Sequence, residues 1–420
     1  MMKFRYLILP IATTLLIWVL NTRIGTLPPL GKFLDPFHGY LALVDSDDLK
    51  RLHMDTPQLE SPVTVIFDSL RIPHIFAEND HDLYFVQGYI MASERLWQME
   101  FQTHAAGGRM SEIVGEKALG YDRFQRRVGM KFGAENSLNA IEKDQQLSPM
   151  ADAFTEGINT YIASLPEDQY PLEYKILDYA PEPWTPLKTS LLLKYMAWML
   201  TGRNTELTYT RMWNEMGQDV VEELFPIYPW FVDPIIPPGT KYDFNPLPLD
   251  QPPDLYQSKA DRGNIITQEH EGIGSNNWVV TGSRTESGNA ILANDPHLGL
   301  NLPSIWYAMH LVSPNQNVMG VSLPGAPGII TGFNDHISWG VTNGYDDVMD
   351  WYDIQFRDST MTEYFHDNKW KPTRKVVEKF KIRGGMTFSD TITYTHHGPV
   401  VWDTPYQTLS LGEKSIRNSI

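Results

Sequence analysis

Hydrophobic periodicity divides the chain into a helical half and a β-rich half. From Val63 to Ala77 the run VTVIFDSLRIPHIFA alternates and is rich in β-branched and aromatic residues, which predicts a strand, a turn and a second strand. A helix begins near Asp82, with Leu83, Val86, Ile90, Trp97 and Phe101 on one face and Tyr89, Ala92, Leu96 and Met99 on a neighbouring one. So broad an apolar face predicts burial against other elements, and Gly107-Gly108 ends the run. A further helix carries Pro149 in its first turn and shares Phe154, Ile158, Tyr161 and Ile162 on one face; another spans about Thr189 to Leu200. Between them Tyr179–Pro186, YAPEPWTP, reads as a rigid loop.

Pro234, Pro237, Pro238, Pro246, Pro248, Pro252 and Pro253 crowd one polar stretch, and the chain stays aperiodic up to Gly274. The pattern then becomes β. Ser275–Ser283 and Asn289–Ala293 predict a hairpin around Thr285–Gly288, followed by strands at Asn317–Leu323, His336–Val341, Trp351–Phe356, Lys375–Ile382 and Thr391–Tyr394. The organisation expected is a signal or anchor segment (1–20), a linker (21–45), a mostly helical unit (46–233), a spacer (234–274) and a β-rich domain (275–420).

At the N-terminus Lys3 and Arg5 precede an uncharged apolar run from Tyr6 to Leu20, the layout of an export signal. No small-x-small cleavage site follows, so residues 6–20 are expected to stay on as a membrane anchor; the competing reading is a buried core helix. The formal charge of −17, from 34 basic and 51 acidic residues, has no basic stripe within it and disfavours a nucleic-acid partner. The absence of cysteine excludes a thiol nucleophile, disulfides and cysteine-ligated metal.

G-x-S-x-G, H-E-x-x-H and P-loop signatures are absent. His396-His397 lacks a third ligand at credible spacing, so zinc is not expected there. What stands out is Ser275, placed where the polar spacer meets the first strand. Cleavage after Gly274 would give this serine a free α-amine, whose pKa of ~7.7–8.0 suits general-base work. One residue would then supply both nucleophile and base. The competing reading is an ordinary loop-to-strand turn.

Several motifs decide between these readings. RIPHIFA (Arg71–Ala77), QGYIMASERLWQME (Gln87–Glu100), AGGRMSEIVG (Ala106–Gly115), YDRFQRRVG (Tyr121–Gly129) and PEPWTP (Pro181–Pro186) occur in the first half. GSNNWVVTGSRTESGNAILANDPHL (Gly274–Leu298), PGAPGIITGFNDHISWGVTNG (Pro324–Gly344) and THHGPVV (Thr395–Val401) follow in the second. With these the chain resembles the penicillin acylase (penicillin amidase) family of N-terminal nucleophile hydrolases. The resemblance implies an α+β fold, with a mostly helical α-chain unit packed on a four-layer α-β-β-α sandwich headed by Ser275. It also implies self-processing between Gly274 and Ser275, hydrolysis of N-acyl amides, and α and β chains that stay partnered after the cut.

The resemblance further assigns roles. His297 matches the position whose backbone holds the serine amine, and Asn343 the position whose backbone N–H donates to the oxyanion. Leu298 matches a wall of the acyl pocket, where a plain core residue is the competing reading. Glu206, Asp347 and Asp350 resemble ligands of a structural Ca²⁺, against a solvated acidic loop without metal; no organic cofactor is implied. The family pattern extends past residue 420 and includes an oxyanion asparagine there, so the nucleophile domain is expected to be C-terminally incomplete. A non-catalytic, envelope-anchored member of the family is the alternative. Either version would lie in the bacterial cell envelope, periplasmic or membrane-anchored.

Overall fold

The computed structural model describes residues 2–24, 28–36, 39–40, 51–54, 56–201, 205–226, 239–241, 273–298, 301–344, 350–401 and 418–419. Its helices are α1 (Met2–Asn21), α2 (Asp80–Gly107), α3 (Ser111–Val114), α4 (Leu119–Arg127), α5 (Met130–Ile141), α6 (Leu147–Ser164), α7 (Leu172–Leu177), α8 (Pro186–Thr201), α9 (Thr205–Met216) and α10 (Gln218–Leu224). The main sheet joins β1 (Arg51–Met54), β2 (Val63–Phe67), β3 (Pro73–Phe76), β6 (Tyr307–Ser313), β7 (Gln316–Ser322), β8 (Thr331–Asn334) and β9 (Ser338–Trp339), in that order. Of its pairings only β3–β6 is parallel. That pairing joins strands from the two sides of the proline-rich stretch.

Smaller sheets surround it. β4 (Ile273–Val280) and β5 (Ile291–Leu298) form the expected hairpin, and β11 (Glu363–His366) and β12 (Lys369–Pro372) a second one. β13 (Arg374–Phe380), β14 (Phe388–Thr395) and β15 (Gly398–Pro399) make a third sheet, and β10 (Tyr352–Asp353) pairs with β16 (Asn418–Ser419). The architecture is α+β, as the resemblance implied.

The core lies between the main sheet and α2. Val63, Val65, Ile75, Met309 and Leu311 from the sheet meet Leu83, Phe85, Val86 and Ile90 from α2, with Phe154 and Ile158 of α6 behind them. Each such side chain contributes roughly 1.5–3 kcal/mol by leaving water. α2 starts because the Asn79 side chain accepts from the Asp82 N–H at 2.8 Å, capping an orphan donor. It stops at Gly108, whose φ of 61° suits a residue without Cβ. Midway, Arg95 leaves helical geometry at φ −139° and its guanidinium stacks over the Tyr307 ring. The kink rotates the inward face. Leu96 and Met99 are buried beyond it, while Trp97 and Phe101, expected on the Leu83 face, are only half-buried and stack on each other.

α1 leaves Ile8, Leu9, Ile11, Leu15, Leu16, Ile17 and Trp18 exposed, which is not the arrangement of a buried core helix. Among the described residues no helix is long and apolar enough to cross a membrane.

Candidate active site

Ser275 lies in β4, half-buried, and the strand runs unbroken through the Gly274–Ser275 peptide. Antiparallel pairing sets Gly274 opposite His297 and Ser275 opposite Pro296, a residue with no N–H to give the ladder. Gly274 adopts no positive φ, and a methyl group there would meet only His297 Nδ1 at 3.6 Å. No strained torsion therefore requires glycine at this position. The His297 ring is turned toward Gly274, and its Nε2 lies 2.8 Å from Asp295 Oδ2. Leu298 ends β5, half-buried and paired with Ile273.

Asn343 sits in the irregular segment after β9, where its side chain donates to the Leu200 carbonyl at the end of α8, at 3.2 Å. A residue that sequence reasoning left without a role brings this segment to the serine strand. Asn294 of β5 donates through Nδ2 to the Asn276 carbonyl at 3.4 Å and to the Val341 carbonyl at 3.0 Å. Its Oδ1 accepts from the Thr331 hydroxyl of β8 at 3.0 Å. Neighbouring Gly340 is close to this amide, since a Cβ there would stand 2.6 Å from Asn294 Cγ. One amide thus ties together the residue after Ser275, the main sheet and the segment of Asn343. Its signal was present in the Gly274–Leu298 motif, but a side chain that only bridges backbone carbonyls looks like any polar strand residue in sequence.

The other motifs of the first half meet in a buried cluster of charged groups. Arg109 grips Glu182 of the PEPWTP loop through two bonds of 2.6 and 2.9 Å, and Glu112 through two of 2.9 and 2.7 Å. Lys188 of α8 adds an ion pair to Glu182 at 2.9 Å. Burial opposes the charge on Glu182, but Arg109 and Lys188 outweigh it and hold the carboxyl down at about 2. Glu100, in the same cluster and 1% exposed, is instead pushed up to about 7 by burial. It accepts from the Tyr174 hydroxyl at 2.9 Å and the Glu182 N–H at 3.1 Å. Thr189, in the first turn of α8, donates to the Gly325 carbonyl at 3.0 Å, so α8 is fixed to the second half at both ends.

Of the residues expected to hold calcium, Asp350 is an exposed carboxylate that accepts from the Tyr352 hydroxyl at 3.4 Å. It is a hard oxygen donor of the kind Ca²⁺ takes. Asp347 lies outside the described residues, as does the side chain of Glu206 on α9.

Comparison with known proteins is consistent along most of the chain. The sequence profile described as penicillin amidase matches residues 62–417. The acyl-homoserine lactone acylase QuiP of Pseudomonas aeruginosa is 32% identical over 347 residues, which are 82% of this chain and 40% of that protein. A penicillin acylase 2 proenzyme of a Pseudomonas species is 30% identical over 372 residues, 87% of this chain and 46% of that one. A solved thermostable penicillin G acylase from Alcaligenes faecalis overlays 44% of this chain and 98% of its own at 24% identity, with a TM-score of 0.35. The chain therefore spans less than half the length of the two curated relatives. With the profile covering most of its residues and these identities sustained over more than four-fifths of it, the chain belongs to the penicillin amidase family.

Proposed function

We propose that the protein is an N-terminal serine amidohydrolase that matures by cutting its own Gly274–Ser275 bond and then hydrolyses small N-acyl compounds. The Asn294 bridge carries this reading, because it holds the Ser275 strand and the Asn343 segment to one another through a single side chain. In the proposed reaction Ser275 Oγ attacks the substrate carbonyl and passes its proton to its own α-amine. The His297 backbone orients that amine. The Asn343 N–H donates to the tetrahedral oxyanion, an interaction typically worth ~10²–10³ in rate. The intermediate collapses with the α-ammonium returning its proton to the departing amine. Water then hydrolyses the acyl-serine to release the acid, and Leu298 forms part of the wall against the acyl group. The names of the two relatives, a homoserine lactone acylase and a penicillin acylase, point to the same bond type, an acyl group on nitrogen.

Ca²⁺ held by Glu206, Asp347 and Asp350 is part of the proposal, as oxygen donors from both halves would add a tie between the chains. So is export to the cell envelope by residues 1–20. The exposed apolar side chains of α1 suit insertion at a membrane surface.

Intact-mass analysis of the purified protein tests the central claim. The parent is expected to yield two pieces, one beginning at Ser275, and Ser275→Ala a single uncut chain without amidase activity. A Ser275→Ala variant that still cuts at this bond would sink the proposal.

A further inference from the structure

Three imidazoles from two separate stretches of the β-rich half converge at one place. His366 ends β11, and His396 and His397 form the turn between β14 and β15. The rings of His366 and His396 lie 3.8 Å apart between centroids, those of His396 and His397 3.7 Å, and those of His366 and His397 5.5 Å. One nitrogen from each stands within 4.8 Å of the other two. We propose that His366, His396 and His397 form a site for one late first-row divalent metal ion, with Zn²⁺ as the occupant. His366 is the third ligand that spacing alone could not supply for the His396-His397 pair.

The geometry comes near what such an ion needs. An ion at the centre of a triangle with edges of at most 4.8 Å would be at most about 2.8 Å from each corner, against ~2.0–2.1 Å for a zinc–imidazole bond. An inward shift of at most about 0.7 Å per ring closes that gap, within reach of small χ rotations on side chains that are not packed in the core. The outer nitrogens already have partners of the kind that orient metal-bound histidines. His396 Nδ1 lies 2.9 Å from the Tyr364 hydroxyl, which leaves Nε2 for the ion. His366 Nε2 lies 3.2 Å from Asp367 Oδ2, which leaves Nδ1. Such partners fix the tautomer and direction of a ligand before the metal arrives. The ring of Tyr352 stacks on His397 at 3.8 Å and restricts its rotation.

The charge balance is also acceptable. Lys371 is the nearby cation, and its ammonium is engaged by Asp367 at 3.0 Å. Three neutral imidazoles with an open fourth position suit Zn²⁺, Cu²⁺ or Ni²⁺ rather than Ca²⁺ or Mg²⁺, which prefer oxygen. The ion would pin the β11–β12 hairpin to the β14–β15 turn. This site shares no residue with the proposed calcium ligands or with the Ser275 hairpin.

Equilibrium titration of chelator-treated full chain with Zn²⁺ tests the inference, with Co²⁺ absorption reporting the coordination number. The expected result is one high-affinity equivalent with a four-coordinate Co²⁺ spectrum. His366→Gln and His396→Gln should each weaken binding at least ~10-fold, and His336→Gln, an exposed histidine elsewhere, should leave it unchanged. A second readout needs no substitution: Zn²⁺ should protect His366, His396 and His397 of the parent from diethylpyrocarbonate, as read by peptide mass. Equal binding by the parent and the His366→Gln variant, or modification at the three positions that Zn²⁺ leaves unchanged, would overturn the site.

Discussion

Glu100 shows how much of this protein's behaviour resides in single buried groups. Its carboxyl is pushed up to about 7 by burial, whereas Glu182, bonded to Arg109 and Lys188, is held at about 2 despite its own burial. The two act on stability in opposite directions. Between about pH 4.5 and 7 the folded protein holds a proton on Glu100 that an unfolded chain releases, so this group makes stability fall as pH rises through that window. Glu182 contributes stability that is present above about 4.5 and lost as pH falls toward 2. Glu100→Gln should remove the first effect alone. Measured by denaturant unfolding, its stability relative to the parent should improve by about 3 kcal/mol between pH 4.5 and 8, given about 1.36 kcal/mol per unit. Parallel stability curves for parent and variant would show that Glu100 does not change protonation on folding.

At the scale of elements, the crossing of α2 and α6 makes the sharpest demand on sequence. A Cβ on Gly157 would stand 1.8 Å from the Phe85 carbonyl oxygen, and one on Gly88 2.2 Å from that of Phe154. The two helices therefore touch backbone to backbone, and neither can retreat without unpacking Phe154 and Ile158 from the core. Gly157→Ala is expected to destabilise the protein by about 1–3 kcal/mol or more, read as a fall in midpoint on thermal or denaturant unfolding; an unchanged midpoint would mean that the helices slide freely. Both helices were legible in sequence because their apolar positions repeat at helical spacing, but two glycines in helical runs gave no sign that they face each other. The Arg95 kink was hidden for a similar reason, since the ring its guanidinium covers, Tyr307, lies more than 200 residues later. Strand β6 escaped notice because its run YAMHLVS is apolar enough to fit a buried helix or a strand, and its parallel partner β3 lies far back in the chain. The site follows the same rule. The Ser275 hairpin was local and readable, whereas the Asn294 bridge and the approach of His366 to His396-His397 are products of tertiary folding.

For the whole molecule, the question is what a cut between Gly274 and Ser275 would leave joined. The main sheet takes β1 to β3 from before the cut and β6 to β9 from after it, paired through His74–His310, Ile75–Leu311 and Phe76–Val312. Beside that seam Gln87 exchanges bonds of 3.1 and 3.0 Å with the backbone of Gly328, and Asp80 accepts from Ser313 and Asn315. A second seam is electrostatic. Arg127 holds Asp390 through two bonds of 2.9 and 2.8 Å, Arg123 adds a third at 3.0 Å, and Arg126 pairs with Glu378. Arg127 and Asp390 are less than a tenth exposed, so salt screens this pair far less than it would a surface pair. The two pieces should consequently migrate as one species in gel filtration, in 1 M salt as in dilute buffer, and part only in denaturant. Arg127→Met leaves Asp390 with Arg123 as its remaining cation, a loss smaller than the about 3–5 kcal/mol of a fully broken buried pair. The cut variant should then unfold at lower denaturant concentration than the cut parent, with the β3–β6 ladder still keeping the pieces together under native conditions. If 1 M salt alone separated the cut parent, charge and not the shared sheet would be holding the halves, and the continuous core across the seam would contribute less than its buried area suggests.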